Sequence, residues 1–248
     1  MPFEQEWKTT NMRSTAAIIS LFLLMTACKR PILRGDGSTY TETRPLTSFN
    51  KVQIWGHFEI VVVKGDSCSI RLEGEKNIIG LVKTEVSSND LHVRFPLLKD
   101  IRPTQRVRCW ITVPNIMQIT NSGSGSIQTA DTIRAAAFSI HNSGSGRIEI
   151  GVVADRLRIG ISGSGRVIVG GRTGELHCRI SGSGAVDGAA LAVREHAAIH
   201  ISGSGTVTVA TNGVIRGGIS GSGNINYKGA PSSVQVRHSG SGRAHKVS

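Results

Sequence analysis

Residues 157–167 read Leu-Arg-Ile-Gly-Ile-Ser-Gly-Ser-Gly-Arg-Val, and residues 176–186 read Leu-His-Cys-Arg-Ile-Ser-Gly-Ser-Gly-Ala-Val. The same Ser-Gly-Ser-Gly begins at Ser122, Ser143, Ser162, Ser181, Ser202, Ser220 and Ser239, at intervals of 18 to 21 residues. A period near 20 is the mark of stacked coils, each too small to bury its apolar face alone. A Gly/Ser linker has no reason to hold apolar residues in register, and here the register is held. Three positions before the first serine stand Ile119, Ile140, Ile159, Cys178, Ile199, Gly217 and Val236; five after it stand Ile127, Ile148, Val167, Val186, Val207, Ile225 and Ala244. Between them lie mostly Arg, His, Ser, Thr, Gln and Gly, so the apolar period is two and the segments are strands with one buried face.

The alternation runs unbroken through the tetrapeptide. Its glycines share the inward phase of the flanking Ile and Val, and its serines share the outward phase. Stacked at about 4.8 Å, such coils place an inner file of glycines beneath an outer ladder of serines, whose hydroxyls can bond from coil to coil. About 20 residues supply two or three short strands and their corners, which fits an all-β, parallel β-helix; a propeller blade needs about twice that period.

The half before Ser122 alternates in the same way without the tetrapeptide, at Val52 and Ile54, Phe58 to Val62, Cys68 to Leu72, Leu91 to Phe95, and Val107 to Val113. Gly65-Asp66, Gly74 and Asn89-Asp90 punctuate these strands, and Asn77 to Val82 is the one candidate helical turn. Residues 28–46, with Pro31, Gly35, Gly37 and Pro45, are expected to form a tether, leaving residues 47–248 as one domain.

The 248 residues hold 29 Lys and Arg against 17 Asp and Glu, a formal charge of +12, with 30 glycines. Glycine falls far short of one third, which excludes collagen, and the composition is not that of a disordered tail. A cationic surface favours polyanions, and the compartment selects among them. Arg13 precedes the apolar run Ala16 to Met25, which is too short to cross a bilayer and ends in Thr26, Ala27 and Cys28. Residues 24–28, Leu-Met-Thr-Ala-Cys, resemble a bacterial lipobox. Residues 1–27 then form a lipoprotein signal peptide, and Cys28 is the lipidation site that anchors the chain in a membrane. Ordinary secretion with an incidental cysteine is the alternative, and the true start is Met1 or Met12. Lys29 and Arg30 after the cysteine show no acidic export tract, and the expected location is the cell envelope, at the outer membrane, facing either the periplasm or the exterior. Cys68, Cys109 and Cys178 remain after Cys28; Cys68 with Cys109 is the nearest pair for a disulfide, and at least one thiol stays free.

Residues 48–65, Ser-Phe-Asn-Lys-Val-Gln-Ile-Trp-Gly-His-Phe-Glu-Ile-Val-Val-Val-Lys-Gly, the later Thr84 to Phe95, and the serial Ile-Ser-Gly-Ser-Gly copies ending at Val236 to Gly242 resemble the head GIN domain of auto-transporter adhesins over nearly all of residues 40–248. The resemblance implies a right-handed single-stranded β-helix, often behind a lipoprotein signal, and an adhesin role by fold-level analogy.

Seven equivalent serines argue against a nucleophile, which has to be one special residue, and no serine lies in G-x-S-x-G. No nucleotide loop, zinc motif or repeated Asp for Ca²⁺ occurs, so neither metal nor cofactor is expected. Acids after Ser122 are sparse, which makes a carbohydrate-active lyase or hydrolase the weaker alternative to a noncatalytic binding head. The basic residues are more ordered. Positions two and four before the serine gather His141, Arg158, His177, Arg179, His200, Arg216 and Arg237, expected to neighbour one another on one face. Such a strip suits an acidic glycan or lipopolysaccharide phosphate; a merely solvated face is the plainer alternative. Trp7, Trp55 and Trp110 form no stacking series, so nucleic acid is not an expected partner. Strand edges at the ends of the helix leave room for oligomers.

Overall fold

The computed structural model describes residues 32–97 and 99–248. It is an all-β solenoid of about seven turns, with one short helix among the described residues. From Gln118 onward the coils stack in chain order. Strands β10 (Gln118–Asn121), β12 (Ile133–Asn142), β13 (Arg147–Gly163), β14 (Arg166–Gly182), β15 (Ala185–Gly203), β17 (Val214–Gly221) and β19 (Ser233–Ser239) pair in parallel, each on the last. On the far side of the corner β11 (Ser126–Thr129), the starts of β13, β14 and β15, β16 (Thr206–Thr211), β18 (Asn224–Lys228) and β20 (Arg243–Lys246) form a second parallel face. Leu157, Leu176 and Ala197 stack in register, as do Ile159, Cys178 and Ile199, and all are buried. Each Ile or Leu so removed from water contributes about 1.5–3 kcal/mol. The last coil is less covered: Val234 and His238 are exposed although both carry the inward phase.

The tetrapeptide is a corner, and the reason for its glycines is steric. The first glycine has φ of +131° at Gly163, +120° at Gly182, +119° at Gly203 and +115° at Gly221, where an L side chain is strained. A Cβ on Gly182 would also stand 2.6 Å from the Gly163 carbonyl oxygen of the coil below. The second glycine makes room for a side chain of the preceding coil: a Cβ on Gly205 would meet Ile180 at 2.6 Å. In the first two copies Asn121 and Asn142 replace that isoleucine. Both are fully buried, and Asn142 Nδ2 donates to the Gly146 carbonyl at 2.8 Å, closing its own corner. The serines do point outward, but among the described residues only Ser241 and Ser222 bond hydroxyl to hydroxyl, at 3.0 Å.

Before Gln118 the chain departs from serial stacking. Strands β3 (Lys51–Trp55) and β4 (Glu59–Lys64) form one coil, and β7 (Asp90–Arg94) and β9 (Arg108–Val113) form another. β3 lies between β7 and β10, and β4 lies between β9 and β11. The later coil therefore sits beneath the earlier one. The register aligns Trp55-Gly56-His57-Phe58 with Ser122-Gly123-Ser124-Gly125, so this is an eighth corner written in other residues. Gly56 keeps the positive φ, +124°.

Antiparallel strands finish this end. β5 (Ser69–Gly74) pairs with β9, and β6 (Lys83–Ser87) pairs with β7 across a tight turn in which Ser88 and Asn89 have φ of +51° and +64°. The turn falls one residue before the Asn89-Asp90 read from sequence. The short helix α1 (Lys76–Ile79) overlaps the expected Asn77–Val82, starting one residue earlier and ending three sooner, and buries Ile78 and Ile79. Within residues 28–46, expected to form a tether, β1 (Ile32–Arg34) pairs with β8 (Asp100–Arg102), and β2 (Tyr40–Pro45) is the antiparallel partner of β5. β2 is an edge strand of mainly polar residues, so it carries no apolar alternation to announce it. Arg44 ties it down by donating to the carbonyl oxygens of Val82 at 2.6 Å and Ile79 at 3.1 Å.

Cys68 and Cys109 are free, so the disulfide considered from sequence does not form. Cys109 faces Leu72 in the β5–β9 ladder, whereas Cys68 lies before that strand begins. Burial pushes the Cys109 thiol upward and the Cys178 thiol up to about 12, as befits inert core residues.

Candidate polyanion-binding face

The parallel register brings the seven basic residues onto one face. Position four before the serine stacks Arg158 on His177, with Ala198, Arg216 and Gln235 following; position two stacks His141, Gly160, Arg179, His200, Gly218 and Arg237. All seven basic side chains are exposed. Strand twist and pleat put both columns on the same outward surface, with rungs about 4.8 Å apart. Every rung from His141 to Arg237 supplies an arginine or a histidine, and on three of them the companion position is only Gly or Ala.

Those small residues open the surface between the cations. One shallow groove of about 540 Å³ crosses Gly218 between Arg179, His200 and Arg237, with Ser181, Ser202 and Ser220 along its other bank. A second, of about 470 Å³, crosses Ala198 and Gly217 beside Arg216 and Arg237. Among the described residues none of the four arginines is engaged in an ion pair, and the one carboxylate in contact is Glu175, 3.7 Å from His177 Nε2. The arrangement can offer guanidinium, imidazole and hydroxyl donors to a string of anionic groups.

The strip has an end that sequence did not disclose. On the same face at the β3 coil, Trp55 occupies the position of the first serine, and its indole stacks on His92 with ring centroids 5.2 Å apart and planes 16° apart. Only the cryptic corner alignment reveals this, because no Ser-Gly-Ser-Gly marks it. Arg147, Arg166 and Arg243, which follow the tetrapeptide, fall past the corner, where Arg147 pairs with Glu149 at 2.9 Å. Cys28 lies outside the described residues. Among the described residues no group of three or more His, Cys, Asp and Glu side chains is gathered to hold a metal ion.

A fully buried carboxylate lies away from this face. Glu75 is fully buried and accepts from Gly37 N at 2.7 Å, Thr104 N at 2.8 Å, Thr104 Oγ1 at 2.6 Å and Gln105 N at 3.3 Å. Desolvation pushes its carboxyl up, but these donors outweigh it and hold the carboxyl below the usual range. It is a structural latch between the N-terminal arm and the loop before β9.

Fold and face together define a β-solenoid carrying an unpaired cationic strip. The chain belongs to the family described as "Putative auto-transporter adhesin, head GIN domain", whose model matches residues 48–231. It is similar in structure to a "putative adhesin" from Bacteroides fragilis, with a TM-score of 0.82 and 21% identity over 87% of this chain and 100% of that one. A "putative lipid binding protein" from Parabacteroides distasonis gives 0.75 and 21%, covering 88% and 100%. A "putative adhesin" from Parabacteroides merdae gives 0.69 and 18%, covering 88% and 99%. These likenesses establish the fold. Curated proteins give no match.

Proposed function

We propose that this protein is a noncatalytic, adhesin-like head of the bacterial cell envelope that holds an anionic polymer, an acidic glycan or lipopolysaccharide phosphate, along its cationic face. The observation that carries the proposal is the register: seven exposed basic side chains converge on one face while their counter-charges are almost absent. Multiple charge-assisted hydrogen bonds to a repeating ligand give avidity that no single site supplies. Lipidation at Cys28, at the outer membrane, belongs to the same proposal and suits a head that works at a surface. The family description and the adhesin names of the structural neighbours support the role.

The enzyme alternative has one structural feature in its favour. Glu149 and Asp187 share an outward column with Ile168 between them, two rungs or roughly 9.6 Å apart, at the far limit for an inverting glycosidase. Both line one open groove of about 510 Å³, but Glu149 is exposed and paired with Arg147 and Asp187 is only half-buried, which is not the enclosed apolar setting a general acid requires.

The test is binding of soluble protein to acidic polysaccharides against salt, with Arg158, Arg179, Arg216 and Arg237 together changed to Ser. Affinity is expected to fall by more than tenfold and its salt dependence to flatten; unchanged binding defeats the strip.

A further inference from the structure

The cationic face has one aromatic terminus, and its geometry names the ligand more closely. β3 lies between β7 and β10, so the His92 ring, contributed by β7, covers the side of the Trp55 indole that faces away from the strip. The other side looks along the axis toward Thr120 and Ser122 on β10, both small. Beyond them on the same two columns come His141 and Ser143, then Gly160 and Ser162, before Arg179 is reached. A file of serines flanked by His141 and Gly160 thus runs from a half-buried indole to the unpaired arginines. Trp55 is no part of the repeat's own requirements, because serine fills its position in all seven Ser-Gly-Ser-Gly copies.

Phosphate groups gain nothing from an indole face, whereas the C–H face of a pyranose ring lies flat on one and its hydroxyls reach neighbouring Ser and Thr. We infer that Trp55, backed by His92, is a sugar-stacking subsite at one end of the cationic face, so that the ligand is an acidic polysaccharide laid along the solenoid axis. The inference rests on the polyanion-binding role proposed above and adds to it a place where the polymer's ring, not its charge, is recognised. From Trp55 to Arg237 there are seven rung spacings, roughly 34 Å, which sets the length of chain the face can hold.

The test titrates the full chain with two probes: an oligogalacturonate long enough to span that distance, and inorganic polyphosphate of matched charge. Trp55→Ser installs the residue that every other corner uses, and an unchanged urea midpoint verifies that it folds. Trp55→Ser is expected to weaken oligogalacturonate binding about tenfold and to leave polyphosphate binding within about twofold, while Trp55→Phe retains most of the sugar affinity. Equal loss for both probes, or no loss for either, overturns the subsite. Wild-type protein that takes polyphosphate and refuses oligogalacturonate overturns the subsite and spares the strip. Binding to neither probe sinks both proposals, and binding of both that is insensitive to the four Arg→Ser changes sinks the strip alone.

Discussion

The region before Gln118 and the coils after it are built from the same kind of strand, yet they treat charge in opposite ways. In the first, Arg44 pairs with Glu42 at 2.8 Å, Arg106 and Arg108 both hold Glu59, Arg94 meets Glu85, and Arg102 meets Asp100. In the second, among the described residues, acid–base contacts are confined to Arg147 with Glu149 and His177 with Glu175. The first region closes a solenoid end with antiparallel strands and pairs five of its arginines, although among the described residues Lys51, Lys64 and Lys83 stay exposed without an ion pair. The second repeats a rung and leaves its cations free. Paired arginines gather in the part that closes the solenoid end, and unpaired arginines in register gather in the part to which the proposed binding role is assigned.

The sharpest way to break the comparison is at the ordered corner. Gly182→Val combines a forbidden φ with a backbone oxygen at 2.6 Å, and a cost of about 3 kcal/mol or more is expected in urea unfolding. A smaller loss of about 1 kcal/mol is expected for Asn142→Ala, which removes one of the two donors to the buried Gly146 carbonyl and leaves it only Arg166 N. Arg44→Ser should cost a similar amount, because the Val82 carbonyl loses the guanidinium donor and the Ile79 carbonyl keeps only Val82 N, whereas Arg179→Ser should change stability by less than about 0.5 kcal/mol. Equal costs at Arg44 and Arg179 would erase the distinction between paired and unpaired charge.

Acid probes the closed end alone. The Glu75 carboxyl is held below its ordinary value of 4.5, so its contribution is complete above that value and is lost as the pH falls through the lower, folded one. Amide protection at Gly37 and Thr104, taken relative to the intrinsic exchange rate at each pH, should therefore fall as the pH drops through that lowered value while protection at Ile180 and Ile201 holds. Glu75→Gln is expected to remove this acid response, measured by the same exchange.

Much of the ordered region is legible because its information is local and repeated. Parity assigns Ile159, Ile180 and Ile199 inward and Arg158, Arg179 and Arg237 outward, and parallel stacking in near-constant steps then fixes their neighbours. The corner glycines are legible as a pattern, but the positive φ that demands them is not. Three features of the closed end escape. The strand at Tyr40–Pro45 has no apolar alternation, Glu75 is one carboxylate among many until its four donors converge, and Trp55-Gly56-His57-Phe58 shows its kinship to Ser-Gly-Ser-Gly only when β3 is laid against β10.

By itself the sequence determined which way each side chain of a strand points and how often the chain returns, because both are consequences of short-range covalent geometry and a fixed step. Only the tertiary structure decided that the coil of β7 and β9 lies beneath that of β3 and β4, and that an indole therefore stands at the head of the arginine file. A strand has two edges of equal hydrogen-bonding capacity, and the choice between them is made by packing energy summed over residues far apart in the chain.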